Sequence, residues 1–144
     1  MYPRWDYPNR FVELPLGKTR ILHWINFRFG FTGFLHWGLN YWAGAENPLE
    51  DVSNPEAMWP GGDAMLFYRL DGRTLPSLRA AAMRDGINDY TLLTMLAHRD
   101  SSAAKNICSE IIENEYTCDC RPAAIREMRK RILDILSKDV QSFD

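Results

Sequence analysis

Apolar residues recur at helical spacing in four separate stretches of the chain. Ile21, Leu22, Trp24, Ile25 and Phe29 predict a helix over about 20–29, capped by Thr19 and stopped by Gly30. Leu78, Ala82, Met83, Ile87, Tyr90, Leu93 and Leu96 form the inner stripe of a longer helix over about 78–98, with Ser77 as its cap. Gly86 in the middle of that helix costs about 1 kcal/mol against alanine, which is tolerable where another backbone presses close. A third helix follows Asp100-Ser101-Ser102 and runs to about Glu115, turning Ala104, Ile107, Cys108, Ile111 and Ile112 inward. The fourth starts at Arg121-Pro122, where proline suits the first turn, and buries Ile125, Met128, Ile132 and Ile135.

Two shorter apolar runs have a different character. Gly33-Phe34-Leu35-His36-Trp37 reads as a strand buried on both faces, and residues 64–68 read as a second. Asp71-Gly72 then marks a turn between Leu70 and Pro76. Between the two runs lies a proline-rich loop, 43–62, carrying Glu46, Glu50, Asp51, Glu56 and Trp59. Its acids read as solvated, and Trp59 reads as the loop residue that touches something. The segment before 18 is broken by Pro3, Pro8, Pro15 and Gly17, and the tail beyond Lys138 reads as frayed. Two buried strands leave unpaired edges, which proteins avoid. The chain therefore either dimerises or takes strands from residues outside it.

Composition narrows the class. At 144 residues, 46% hydrophobic and 25% charged, the chain fits one soluble globular domain. A net charge of −2 gives no electrostatic footprint for nucleic acid or an anionic membrane. No apolar run reaches membrane-spanning length. The N-terminus lacks a signal-peptide core, so the cytoplasm is the favoured location. Cys108, Cys118 and Cys120 cannot all pair with one another. Together with His98 they lack zinc-knuckle spacing, so they read as reduced, partly buried thiols. No phosphate-cradling loop or nucleophile elbow occurs, and no cofactor or metal is implied.

Candidate chemistry concentrates where the first strand ends. His36, Trp37, Asn40, Tyr41 and Trp42 bring an imidazole, an amide, a phenol and two indoles together. In α/β proteins working residues sit at the carboxyl ends of parallel strands. Such a set suits a sugar, whose C–H faces stack on rings while its hydroxyls take hydrogen bonds. The competing reading is that these aromatics are core, and for Phe34 and Leu35 that reading is preferred.

The ordered motifs are similar to those of a known family. Asn9-Arg10-Phe11, Thr19-Arg20-Ile21-Leu22-His23-Trp24 and Gly33 through Trp42 occur in sequence. They are followed by Gly62-Asp63, by Ser77-Leu78-Arg79 and by Arg84-Asp85-Gly86-Ile87-Asn88-Asp89-Tyr90. Together they resemble the end of a glycoside hydrolase family 123 type catalytic domain, related to the domain of unknown function 4091. The resemblance covers about residues 8–96, and 97–144 form a helical tail without family motifs. It implies an α/β fold, the C-terminal portion of a (β/α)8 TIM barrel that is incomplete by itself. It also implies cleavage of β-linked N-acetylgalactosamine by substrate-assisted chemistry, in which the 2-acetamido oxygen attacks the anomeric carbon. An adjacent Asp-Glu pair serves that chemistry in the family, and no segment here matches it. Glu50-Asp51 has the reverse order and lies in the wrong loop. Arg69, Ala81 and Asn88 also depart from the family pattern.

The expected partner is then an N-acetylhexosamine-containing glycan. The missing barrel half, or a second copy of the chain, would cover the open strands. On this template Arg84, Asp85 and Asp89 are structural, an ion-pair latch between helix and loop. The chain alone is expected to be inactive, contributing pocket walls through His36, Trp37, Asn40, Tyr41 and Trp42. The alternative is a freestanding, non-catalytic carbohydrate-binding or self-associating module.

Overall fold

The computed structural model describes residues 5–42 and 60–138. The acidic residues and Trp59 of the expected loop, and the tail from 139 onward, lie outside the described residues. The elements in chain order are α1 (Leu16–Phe29), β1 (Phe67–Leu70), β2 (Arg73–Pro76), α2 (Leu78–Arg99), α3 (Ser101–Ile111) and α4 (Pro122–Ser137). The fold is mixed α/β, with a small antiparallel hairpin beside four packed helices. No helix among the described residues is long and apolar enough to cross a membrane.

Several helix ends fall where the local chemistry puts them. Gly30 takes a left-handed conformation (φ 70°) and returns its N–H to α1 carbonyls, ending that helix. The Ser77 hydroxyl accepts from Ala80 N–H at 3.2 Å, and the Asp100 carboxylate from Ala103 N–H at 2.8 Å. Pro122 opens α4. The start of α1 differs from expectation. The helix begins at Leu16 after Pro15, and Thr19 lies buried inside it rather than capping it. Gly17 does not break the helix, because it marks a close approach: a Cβ there would overlap the carbonyl oxygen of Cys120.

The main core joins all four helices. Ile21, Trp24 and Ile25 of α1 meet Leu93 and Leu96 of α2, Ile107 and Ile111 of α3, and Ile125 and Ile132 of α4. Trp24 and Ile132 are completely buried. Burying side chains of this size contributes about 1.5–3 kcal/mol each. The core thus continues from the first half of the chain into the C-terminal helices without a boundary.

The inner face of α2 is rotated from the expected stripe. Its buried residues are Arg79, Ala82, Gly86, Asp89, Leu93 and Leu96, while Leu78 and Ile87 are exposed. Polar partners explain the rotation. The fully buried Asp89 carboxylate accepts from Arg20 Nε at 2.7 Å and Nη2 at 3.1 Å, from Trp24 Nε1 at 2.9 Å, and from Arg129 Nη1. A buried carboxylate needs this many donors to offset its lost hydration. The expected latch therefore exists, but it ties α1, α2 and α4 together rather than a helix to a loop. Arg84 pairs with Asp85 at the surface.

The strands also depart from expectation. Residues 33–37 form no strand; the stretch is irregular and lies at the surface, with Leu35 89% and Trp37 59% exposed. A buried parallel strand needs neighbours on both sides, and no described segment pairs with 33–37. Phe34 and Leu35 are thus surface residues rather than core. The second strand lies slightly later, at Phe67–Leu70, and it is half-exposed rather than buried. It pairs antiparallel with β2 in the register Phe67–Pro76 to Leu70–Arg73. Asp71 (φ 49°) and Gly72 (φ 73°) both adopt positive φ, the geometry of the tight turn that matches strand twist.

Candidate functional site

The turn at 61–64 builds the centre of the candidate site. Gly62 has a φ of 69°, and a Cβ there would overlap the Arg79 guanidinium, so only glycine fits. Arg79, buried at the start of α2, donates to the carbonyls of Arg10 (2.8 Å), Gly62 (2.7 Å) and Met65 (2.8 Å) and to the Tyr68 hydroxyl (2.7 Å). One rigid planar fork thereby fixes the N-terminal segment, the turn and β1 together. From the other side, Val12 N–H donates to Gly61 O at 2.9 Å, and Gly61 N–H donates to Glu13 Oε1 at 2.9 Å.

Residues 38–42 dock onto this turn by backbone pairing. Leu66 N–H donates to Leu39 O at 2.8 Å, and Tyr41 N–H to Ala64 O at 3.1 Å, about the isolated bridge Asn40–Met65. Gly38 lies against Ala64, where a Cβ would come within 2.9 Å of the alanine methyl. The close approach of these two small residues brings Asp63 beneath His36 and Trp37.

Asp63 binds both side chains. Its Oδ2 accepts from Trp37 Nε1 at 2.9 Å, and its Oδ1 lies 3.2 Å from His36 Nε2. His36 Nδ1 lies 2.5 Å from the Gly38 carbonyl, so both ring nitrogens are engaged. Arg10, almost fully buried, stands 3.9 Å from Asp63 Oδ1 and lies over the Phe34 ring at 5.0 Å. Burial pulls the Asp63 carboxyl upward, but the hydrogen bonds from His36 and Trp37 and the charges of His36 and Arg10 outweigh it. They hold the group below the usual carboxylate range. Behind Arg10, burial pushes the His23 imidazole down, and the Arg10 charge adds to that shift.

The five sequence candidates thus take different positions. Trp37 and Tyr41 present adjoining rings to solvent, their centroids 5.3 Å apart and edge to face, exposed 59% and 55%. His36 is turned inward on Asp63. Asn40 is exposed, beside this pair in the chain. Trp42 is half-buried, donates Nε1–H to Phe67 O at 2.9 Å, and has the Arg69 guanidinium 5.5 Å from its ring centre. It therefore stands against the hairpin, apart from the Trp37–Tyr41 pair. Sequence reasoning assigned no site role to Asp63, Arg10 or Arg79. The signal for Asp63 was present: an acid directly after Gly61-Gly62 is an acid held by a tight turn.

Other parts of the molecule carry less chemistry. An apolar pocket of about 240 Å³ lies between Leu39, Leu66 and Phe67 and the α2 residues Ala80, Met83 and Ile87. Its lining offers almost no polar surface for a hydrophilic ligand. No set of three metal-ligating side chains converges among the described residues.

The described residues thus form a mixed α/β fold that displays a paired indole and phenol beside the part-buried Asp63 carboxylate. A family described as "Glycoside hydrolase 123, catalytic domain" matches residues 1–96, two-thirds of the chain. The chain belongs to this glycoside hydrolase family. No curated protein matches it in sequence.

Proposed function

We propose that this chain forms part of a family 123 glycoside hydrolase acting on glycans that contain N-acetylhexosamine, and that it supplies the aromatic wall of the sugar pocket. The observation that carries this reading is the Trp37–Tyr41 pair, two exposed rings on a segment anchored to the 61–66 turn. Exposed rings fixed in this way offer apolar area to a sugar face with little entropy left to lose. Asn40 and the Tyr41 hydroxyl supply hydrogen-bonding groups beside them.

The family's substrate-assisted chemistry needs an adjacent Asp-Glu pair, and the sequence contains no Asp followed directly by Glu. In this reading the pair comes from barrel strands outside these residues, and the chain is the C-terminal part of the barrel. The stretch at 33–37 supports this, since it has the sequence of a buried strand but pairs with no strand among the described residues. The same stretch favours a second reading, a non-catalytic carbohydrate-binding module that covers these residues by self-association.

Hydrolysis of p-nitrophenyl N-acetyl-β-galactosaminide and binding of N-acetylgalactosamine, measured side by side with light scattering, test the proposal. The expected result is weak binding that Trp37→Ala reduces about tenfold, without turnover by the chain alone. A dimer that binds sugar favours the second reading. Turnover by the chain itself would place the acids within it and contradict the first.

A further inference from the structure

We propose that Asp63 is a positioning residue that holds both the Trp37 indole and the His36 imidazole in place for a carbohydrate ligand. This rests on the sugar-pocket reading for the ligand, but its structural basis is independent of it. Trp37 is more than half exposed, and an exposed indole normally samples several rotamers. Here its Nε1–H is fixed on Asp63 Oδ2 at 2.9 Å, while the other carboxylate oxygen meets His36 Nε2 at 3.2 Å. One carboxylate thus sets the orientation of two neighbouring rings, and through Trp37 it sets the edge-to-face contact with Tyr41.

The carboxylate is itself well placed for this task. Its side chain is only 12% exposed, its backbone is fixed by the Gly62 turn, and Arg10 stands 3.9 Å away. The titratable and charged groups around it are His36 and Arg10; the Arg79 charge acts on Arg10 from behind, and Arg10 in turn acts on His23. Arg10 has its own contact with the Phe34 ring, and its Nε has no hydrogen-bond partner among the described residues. Loss of the Asp63 carboxylate would therefore remove an anchor from each ring and take from Arg10 the acid that stands 3.9 Å away.

The test reads the indole N–H resonances by two-dimensional NMR in the wild-type chain, Asp63→Asn and Asp63→Ala. The Trp37 signal is identified by its disappearance in Trp37→Phe. Trp24, whose N–H is bound to Asp89 instead, reports whether the fold survives. The expected result is that the Trp37 signal shifts and exchanges faster in Asp63→Ala while the Trp24 signal stays. Asp63→Asn, which keeps a carbonyl oxygen as acceptor, should restore part of the shift. An unchanged Trp37 signal in Asp63→Ala overturns the proposal. If Asp63→Ala loses the Trp24 signal as well, Asp63→Asn decides by the same criterion.

N-acetylgalactosamine is then titrated into the same samples. Roughly fivefold weaker binding in Asp63→Ala is the expected loss. Equal affinity in the two proteins overturns the ligand part of the proposal. Absence of binding to the wild type, with the Trp37 signal still dependent on Asp63, rejects the sugar-pocket reading while leaving the positioning role in place.

Discussion

Gly86 of α2 lies against the main-chain carbonyl of Arg20 in α1, so close that a Cβ at that position would overlap the oxygen. The crossing of the two helices depends on this contact, and it sets two of the molecule's energetic terms against each other. Alanine at an ordinary helical site would stabilise α2 by about 1 kcal/mol. Here the methyl must push the helices apart, at a cost of about 1–3 kcal/mol or more when a packed core is forced open. Gly86→Ala should therefore lower the urea midpoint despite its better helix propensity. A raised midpoint would mean that the helices separate more easily than their packing implies.

Three residues later on the same face, Asp89 gathers Arg20, Trp24 and Arg129. Removing one partner of a buried charge cluster costs about 3–5 kcal/mol, because the others stay desolvated. Arg20 and Arg129 are partly exposed, so the lower end of that range, about 3 kcal/mol, is expected for Asp89→Ala. Arg129→Ala should destabilise less, since Arg20 still neutralises the acid. Chemical denaturation of both variants checks the order, and equal losses would contradict it.

The His23 imidazole is held down by burial and by the charge of Arg10. The folded chain therefore binds a proton at this site less readily than the unfolded chain, whose histidine titrates near 6.5. The contribution of neutral His23 to stability is complete above about pH 6.5 and is lost as the pH falls from there toward the folded value. Unfolding free energies measured between about pH 7.5 and about pH 5.5 should fall with acid, and His23→Phe should flatten that slope. An identical slope in the variant would remove His23 as the cause.

Burial pushes the Cys108 thiol up to about 12, with Arg28 offsetting only part of the shift, and its Sγ–H donates to Trp24 O at 3.4 Å. Its thiolate fraction at pH 8 is then on the order of one part in ten thousand, too little for reaction in the folded state. Timed labelling with a thiol reagent should modify the half-buried Cys118 and Cys120 first, and Cys108 only as the chain unfolds. Simultaneous labelling of all three under native conditions would contradict this.

These relationships explain which parts of the structure were legible in the sequence. Helix ends follow from single residues, and Ser77, Asp100 and Gly30 each act through the nearest turn. The faces of α3 and α4 were legible because Ile107, Ile111, Ile125 and Ile132 are apolar and bury as the pattern says. The face of α2 was not, because Arg79, Gly86 and Asp89 turn inward, to partners 40 to 69 residues away for Asp89 and to turn carbonyls 14 to 17 away for Arg79. Such pairings leave no local periodicity. The 33–37 stretch has the composition of a buried strand, but burial requires neighbours, and composition cannot provide them. For the candidate site, the sequence indicated which aromatic residues are present; only the 61–64 turn shows that Asp63 joins two of them.

The most direct measurement is a crystal structure of the chain soaked with N-acetylgalactosamine at saturating concentration. The expected result is a sugar ring lying on Trp37 and Tyr41, with Asn40 or the Tyr41 hydroxyl bonded to its polar groups. A sugar bound elsewhere, or a bare Trp37–Tyr41 pair at saturation, would contradict the assignment of this wall.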